Sequence, residues 1–116
     1  MVLKRGRGGL DQELFRLHAE LCKTLGNPTR LRIIEALREG EKTVTELTEI
    51  VGAKQANVSQ HLAILRQNAV VADRRQGLNV YYGVANPKMV QACNLIREVL
   101  LERLTEEANL VKEMSR

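Results

Sequence analysis

One stretch of the chain, residues 44–66, constrains the fold most, because its apolar residues follow two short helical periods separated by a glycine. Leu47, Ile50 and Val51 predict the buried side of a first helix, which ends at Gly52. A second buried stripe follows, made of Val58, Leu62 and Leu65. Two amphipathic helices joined by so short a turn predict a helix-turn-helix.

The second of these helices carries polar side chains between its apolar residues. They are Lys54, Gln55, Asn57, Ser59, Gln60 and His61. Such groups near the start of a helix reach base edges and phosphates when the helix lies in the major groove of DNA. A solvated helix face has the same composition, and similar helix pairs occur in proteins that bind no nucleic acid. The polar residues therefore favour DNA binding without establishing it.

A β-hairpin is predicted directly after the second helix, over residues 70–85. Two runs of strand-type residues flank a turn at residues 76–79, and Arg74 and Arg75 precede that turn. A basic hairpin in this position is typical of a wing that lies along the DNA backbone. An ordinary surface hairpin is the alternative, but the order of the elements favours the wing.

Three motifs occur in the order and at the spacing of a known family. They are residues 27–34 (NPTRLRII), residues 58–66 (VSQHLAILR) and residues 80–84 (VYYGV). From about Leu14 to Leu104 the chain thereby resembles the ArsR/SmtB-type transcriptional repressors. The resemblance implies a winged-helix homodimer that blocks a promoter until an inducer, usually a metal ion or a thiol-reactive species, makes it release double-stranded operator DNA. It also implies that His61 contacts DNA or orients the helix, and Arg66 in the same motif is a further DNA-binding candidate.

Three more helices are predicted around this centre. Residues 11–25 carry leucines along one face, and Asn27-Pro28 begin a helix that runs to about Glu39. In the helix that begins at Asn27-Pro28, the core-facing residues are expected to be Leu31, Ile34 and Leu37. The longest helix starts at Asn86-Pro87, and its apolar stripe consists of Val90, Cys93, Ile96, Leu100 and Leu104.

The stripe on the last helix is too long for burial in one small domain, so we expect a second copy to cover it, with the first helix packed alongside. Folding back on its own core is the alternative. The predicted fold class is mostly α with a small β-hairpin, a winged helix-turn-helix that dimerises through its first and last helices.

Length and composition fit one domain with a polyanionic partner. The chain has 116 residues, a formal net charge of +4 and a pI near 9.4. Phe15, Tyr81 and Tyr82 are its only aromatic residues, which disfavours single-stranded nucleic acid bound by base stacking. Residues 1–10 are basic and glycine-rich and are expected to form a flexible arm before a domain of residues 11–116.

The sequence carries no membrane-spanning run and no apolar signal-peptide core, so we expect a cytoplasmic protein without a membrane partner. No phosphate-cradling glycine loop, Ser/His/Asp arrangement or carboxylate pair beside a histidine indicates an enzyme. A winged helix that docks on another protein is the alternative of a different class. Basic side chains on the second helix of the helix-turn-helix and on the hairpin argue against this alternative. A winged helix that docks on a protein is expected to have apolar residues at those two places.

Both cysteines, Cys22 and Cys93, lie on the two helices expected at the dimer interface. One interpretation is that they are buried packing residues. The other is that they sense the inducer by closing as a disulfide, a persulfide bridge or a metal chelate. His18 lies one helical turn before Cys22 and would complete a soft site with Cys93 for zinc or cadmium, although no cofactor is certain.

Two departures from the family pattern bear on this choice. Many members carry a Cys-x-Cys pair where this chain has residues 45–49 (TELTE), and the last helix here contains no histidine. Both familiar metal sites are therefore missing. The sequence accordingly favours a repressor that releases a palindromic operator on a redox or sulfur signal at the cysteines, with a metal-responsive repressor as the alternative.

Overall fold

The computed structural model describes the backbone of residues 2–115 and the side chains of residues 8–115. The elements in chain order are α1 (Val2–Leu25), α2 (Pro28–Ala36), a 3-10 helix (Leu37–Glu39), β1 (Lys42–Thr43), α3 (Val44–Val51), α4 (Gln55–Gln67), β2 (Val71–Gln76), β3 (Asn79–Val84) and α5 (Lys88–Met114). The helix-turn-helix is α3 and α4, and the hairpin is β2 and β3. The chain is mostly helical, as the sequence predicts.

Local capping sets the boundaries of the central helices. The Asn27 side chain accepts a hydrogen bond of 3.1 Å from the Arg30 backbone N–H and so caps α2. Thr43 and Glu46 form a reciprocal capping box at the start of α3. The residue after α3, Gly52, has a left-handed φ of 71°, which lets the chain turn sharply into α4.

The core lies between α2, α3, α4 and the base of the hairpin. Its buried residues are Ile33, Ile34, Leu37, Leu47, Val51, Val58, Leu62, Leu65, Val70, Val71 and Val90. Two residues expected there are elsewhere: Leu31 is 37% exposed and Ile50 is 56% exposed. The helical period explains both, because Ile33, Ile34 and Leu37 form one stripe that leaves Leu31 to the side, and Ile50 lies about a quarter turn from the buried side of α3.

The hairpin belongs to a three-stranded antiparallel sheet in the order β1-β3-β2. Gln76 pairs with Asn79, so the tip is a two-residue loop of Gly77 and Leu78. Gly77 has a φ of 63°, which fits a type II′ turn with its positive φ at the first central position. Strand β1 was not predicted from the sequence, because its two residues are too few to show a periodic signal.

The two long helices extend away from this core. In α1, Leu21 and Leu25 pack against it. The helix begins at Val2, whereas the sequence predicted a start at Asp11. The flexible arm expected over residues 1–10 stays a prediction, and the side chains of residues 1–7 lie outside the described part of the chain.

The 27 residues of α5 span about 40 Å. Large apolar side chains are exposed along both long helices: Leu10, Leu14, Phe15 and Leu17 on α1, and Leu95, Ile96, Val99, Leu100, Leu101, Leu104, Leu110, Val111 and Met114 on α5. The stripe predicted on the last helix is therefore largely uncovered in a single protomer. Within the described residues, no helix is both long enough and apolar enough to cross a membrane.

Candidate DNA-binding face and cysteine cleft

The outward face of α4 is polar and closely approachable. Val58, Leu62 and Leu65 turn fully inward. By the helical period, Ala56, Gln60 and Ala63 lie on the opposite side. The predicted contact residues Lys54, Gln55, Asn57, Ser59 and Gln60 are all exposed. Because the two alanines project little, this face lets the helix backbone approach a groove while Gln60 reaches outward.

The start of α4 also favours an anion. Lys54 occupies the N-cap position, and none of the described side chains caps the first turn. The first backbone N–H groups of a helix have no partner within the helix, and the helix dipole makes this end partly positive. A phosphate group is a suitable partner for such an end.

His61 has a different position from the other candidates. Its ring is partly buried, and its Nδ1 accepts a hydrogen bond of 3.2 Å from Nε of Arg30 in α2. Burial and the charge of Arg30 hold the pKa of His61 below its ordinary value of 6.5. The contact fits the helix-orienting role that the family resemblance allowed, and its role toward DNA stays a prediction. Sequence reasoning missed Arg30, although this residue lies inside the first of the three motifs.

The basic residues of the hairpin are not equivalent. The Arg74 guanidinium donates from Nε to both carboxylate oxygens of Glu41, at 2.8 and 2.9 Å. It also donates to Gln76 at 2.8 Å and lies 4.8 Å from the centre of the Tyr81 ring. Arg75 is adjacent in the strand, so it points to the opposite face of the hairpin. Among residues 8–115, Arg75 makes no ion pair.

A second arginine is similarly engaged. Arg66, near the end of α4, donates from Nη1 to Asp73 of β2 at 3.1 Å. This ion pair connects α4 to the hairpin. Arg66 and Arg74 thus already have carboxylate partners, whereas Arg75 is the hairpin cation most available to a phosphate.

The two cysteines line one cleft between α1, α2 and α5. It has a volume of about 260 Å³, and its other lining residues are Leu25, Gly26, Leu31, Ile96, Arg97 and Leu100. Both cysteines are free thiols, Cys22 exposed and Cys93 partly buried. Burial raises the pKa of the Cys93 thiol, the nearby Arg97 lowers it by a smaller amount, and Glu35 adds a small increase. The structure thus brings together the pair that the sequence singled out.

The third predicted metal ligand is not part of this cleft. His18 lies one turn before Cys22 on α1 and is not among the residues that line the cleft. Among the described residues of one protomer, no three His, Cys, Asp or Glu side chains are grouped so as to hold a metal ion. The structure therefore does not assemble His18, Cys22 and Cys93 into one site within a protomer.

Comparison with known proteins identifies the family. Residues 27–72, which contain α2, α3 and α4, match the family model described as bacterial regulatory protein, arsR family. The chain is 36% identical over 105 residues to the HTH-type transcriptional regulator Rv0081 of Mycobacterium tuberculosis, covering 90% of this chain and 92% of that protein. The chain belongs to the ArsR family. The transcriptional repressor PagR of Bacillus anthracis is 38% identical over 82 residues, covering 70% of this chain and 82% of PagR.

A solved structure confirms the fold class. The winged helix-turn-helix DNA-binding domain of Mb0332 from Mycobacterium bovis, described as homodimeric, superposes with a TM-score of 0.76 at 28% identity, covering 83% of this chain and 89% of that one. The chain is therefore a winged-helix, DNA-binding transcriptional regulator, and this family consists of regulators, not enzymes.

Proposed function

We propose that this ArsR-family protein is a homodimeric repressor that binds a palindromic operator in double-stranded DNA and releases it when Cys22 and Cys93 are modified. In this proposal each protomer places α4 in the major groove of one half-site and its wing beside the adjacent phosphates. The two-fold symmetry of the dimer is matched by the inverted repeat.

The apolar side chains of the long helices support the homodimer. Phe15 is 73% exposed and Ile96 is 60% exposed, and both lie on helices that project from the core. Large apolar side chains exposed in this number are typical of a protein interface. The homodimeric state of the Mb0332 domain favours a second copy of the chain as the partner.

One observation carries the thiol proposal: Cys22 and Cys93, far apart in the sequence, line the same cleft. The exposed Cys22 is accessible to a reagent, and the raised pKa of Cys93 keeps that thiol protonated at neutral pH. The cleft is built by helices that also carry the proposed interface. A bond between the two sulfurs would therefore change how α1 and α5 pack.

The chemistry is a balanced thiol-disulfide exchange. The Cys22 thiolate attacks a small disulfide and releases one thiol, forming a mixed disulfide. The Cys93 thiolate, after losing its proton, then attacks the Cys22 sulfur and releases the second thiol. Two thiols are oxidised and the small disulfide is reduced to two thiols. The product requires the two Cα atoms to lie within about 7 Å of each other.

Operator titration tests this proposal. The duplex is first selected from a random pool with reduced protein, and we expect an inverted repeat whose half-site centres are about one helical turn, or a multiple of it, apart. Wild type, Cys22→Ser and Cys93→Ser are then titrated after reduction, after treatment with glutathione disulfide or glutathione persulfide, and after loading with zinc.

We expect the oxidised wild type to bind about 5- to 150-fold more weakly than the reduced protein, the usual range of an allosteric coupling. Each serine variant should keep its reduced affinity after treatment, and dithiothreitol should restore the wild type. An unchanged affinity in all treatments of wild type, or serine variants that respond as wild type does, would contradict the thiol mechanism. A response to zinc alone would favour the metal-responsive alternative.

A further inference from the structure

The Arg30 side chain connects three helices. It belongs to α2, its Nη1 donates to the Thr24 carbonyl in the last turn of α1 at 3.1 Å, and its Nε donates to His61 Nδ1 of α4 at 3.2 Å. Thr24 is itself buried and bonded through its hydroxyl to the Glu20 carbonyl at 3.0 Å. One partly buried guanidinium therefore connects the Thr24 carbonyl of α1 to His61 of α4, the helix proposed to face DNA.

This contact determines which nitrogen of His61 carries the proton. An imidazole nitrogen that accepts a hydrogen bond has no proton, so the neutral ring must be protonated at Nε2. Within the described part of the chain, Nε2 has no hydrogen-bond partner. The Arg30 contact thus leaves His61 with an unused N–H donor on the helix that carries the predicted base-contacting residues.

We propose that Arg30 is a positioning residue for DNA binding, which acts by holding His61 in the Nε2–H tautomer and by tying α4 to the end of α1. Arginine suits this task because its planar guanidinium donates in two directions at once. Lysine keeps the charge but carries one compact ammonium group, which cannot reproduce the bridge from Nε and Nη1.

The link also reaches the cysteine cleft. Thr24 lies two residues after Cys22, in the same turn of α1. A shift of this turn on closure of Cys22 with Cys93 would move the carbonyl that Arg30 bonds, and through Arg30 the ring of His61. This second part rests on the proposed thiol function, whereas the positioning role of Arg30 does not.

Nitrogen-15 NMR of the imidazole rings tests the tautomer directly, since protonated and unprotonated ring nitrogens have distinct chemical shifts. At a pH where the ring is neutral, we expect His61 of the wild type to be protonated at Nε2 alone. Arg30→Lys should produce a mixture of tautomers at His61. The exposed His18 is an internal reference that this substitution should not change. A His61 tautomer that Arg30→Lys leaves unchanged would refute the positioning role.

Operator affinity gives the second measurement. Arg30→Lys should weaken binding of the reduced protein about 5- to 150-fold, as expected when each protomer of the dimer loses one hydrogen bond. In a His61→Ala background the same substitution should have no further effect, because the imidazole through which Arg30 acts is already removed. Arg32→Lys is the matched control, since Arg32 is an exposed arginine of the same helix. Equal losses from Arg30→Lys with and without His61 would show that Arg30 acts on DNA by another route.

The ratio of reduced to oxidised affinity then tests the link to the cleft. We expect Arg30→Lys to reduce this ratio below the wild-type value. If wild type and Arg30→Lys switch equally, the link is refuted and the thiol proposal stands. If wild type does not switch, the thiol proposal and the link both fail, while the NMR result still decides the positioning role of Arg30.

Discussion

Replacing Arg75 with alanine should flatten the salt dependence of DNA binding, whereas replacing Arg74 should change it much less. The two arginines are neighbours on β2 but point to opposite faces of the hairpin. Arg74 donates to both oxygens of Glu41 and lies over the Tyr81 ring, so a phosphate would have to displace those contacts. Arg75 has no carboxylate partner among residues 8–115.

The size of the effect follows from counterion release. Each phosphate contact contributes about 0.9 to the slope of the logarithm of affinity against the logarithm of salt concentration. A dimer has two wings, so loss of Arg75 should reduce the slope by about 1.8. Between 50 and 200 mM salt, the affinity of Arg75→Ala for DNA should therefore fall about tenfold less than the affinity of the wild type.

Fluorescence anisotropy with a labelled operator and a scrambled duplex, over a salt series, measures these slopes. Arg75→Ala should flatten both series equally, because phosphate contacts do not depend on sequence. Glu41→Gln is the matched control, since it frees Arg74 from its carboxylate and should leave the slope the same or make it steeper. Equal flattening by Arg74→Ala and Arg75→Ala, or no flattening by Arg75→Ala, would refute the assignment.

Three further predictions address base reading, assembly and pH. Gln60→Ala should reduce discrimination between the operator and a singly mutated operator by about 1–3 kcal/mol for each base that the glutamine amide reads; equal weakening on every duplex would limit Gln60 to phosphate. Leu100→Glu places a charge in the proposed interface at a cost of several kcal/mol, so light scattering should find monomer or unfolded chain, and operator binding should be abolished. Thr105→Glu, on the other side of α5, should remain dimeric, and a dimeric Leu100→Glu protein that binds normally would show that the stripe faces elsewhere. Since the pKa of folded His61 is depressed below 6.5, its contribution to stability is present above that pH and is lost as the pH falls through the folded-state value. Urea unfolding at pH 7.5 and 5.5 should therefore show a larger loss of stability for wild type than for His61→Asn, and equal losses would mean that His61 is not held neutral by its surroundings.

Local signals in the sequence were sufficient for the helix-turn-helix. Gly52 marks the end of α3 because its left-handed backbone is unfavourable for other residues, and a glycine at that place is visible in the sequence. Val58, Leu62 and Leu65 repeat at helical spacing, and all three are fully buried. The helix end at Gly52 and the buried stripe of α4 depend on residues that are close together in the chain. Both can therefore be predicted from local sequence patterns.

The contacts that distinguish individual arginines were not predictable in this way. Arg74 pairs with Glu41 across 33 positions, and Arg30 pairs with His61 across 31. Side chains so far apart meet only when the core has placed their helices and strands. The sequence identified Arg74 and Arg75 as one basic pair, but the alternation of side chains along β2 places them on opposite faces of the hairpin.

The last turn of α1 places the proposed sensor and the proposed DNA-reading helix α4 within reach of one another. Cys22 opens to the cleft, and Thr24, two residues later, accepts the Arg30 bond that continues to His61. Loss of one such hydrogen bond costs about 1 kcal/mol, and a symmetric dimer would lose two. The resulting total of about 2 kcal/mol falls within the range of about 1–3 kcal/mol that an allosteric switch requires. In the proposed mechanism, breaking the Arg30 link in both protomers would therefore weaken operator binding about 30-fold without unfolding α4 or the wing.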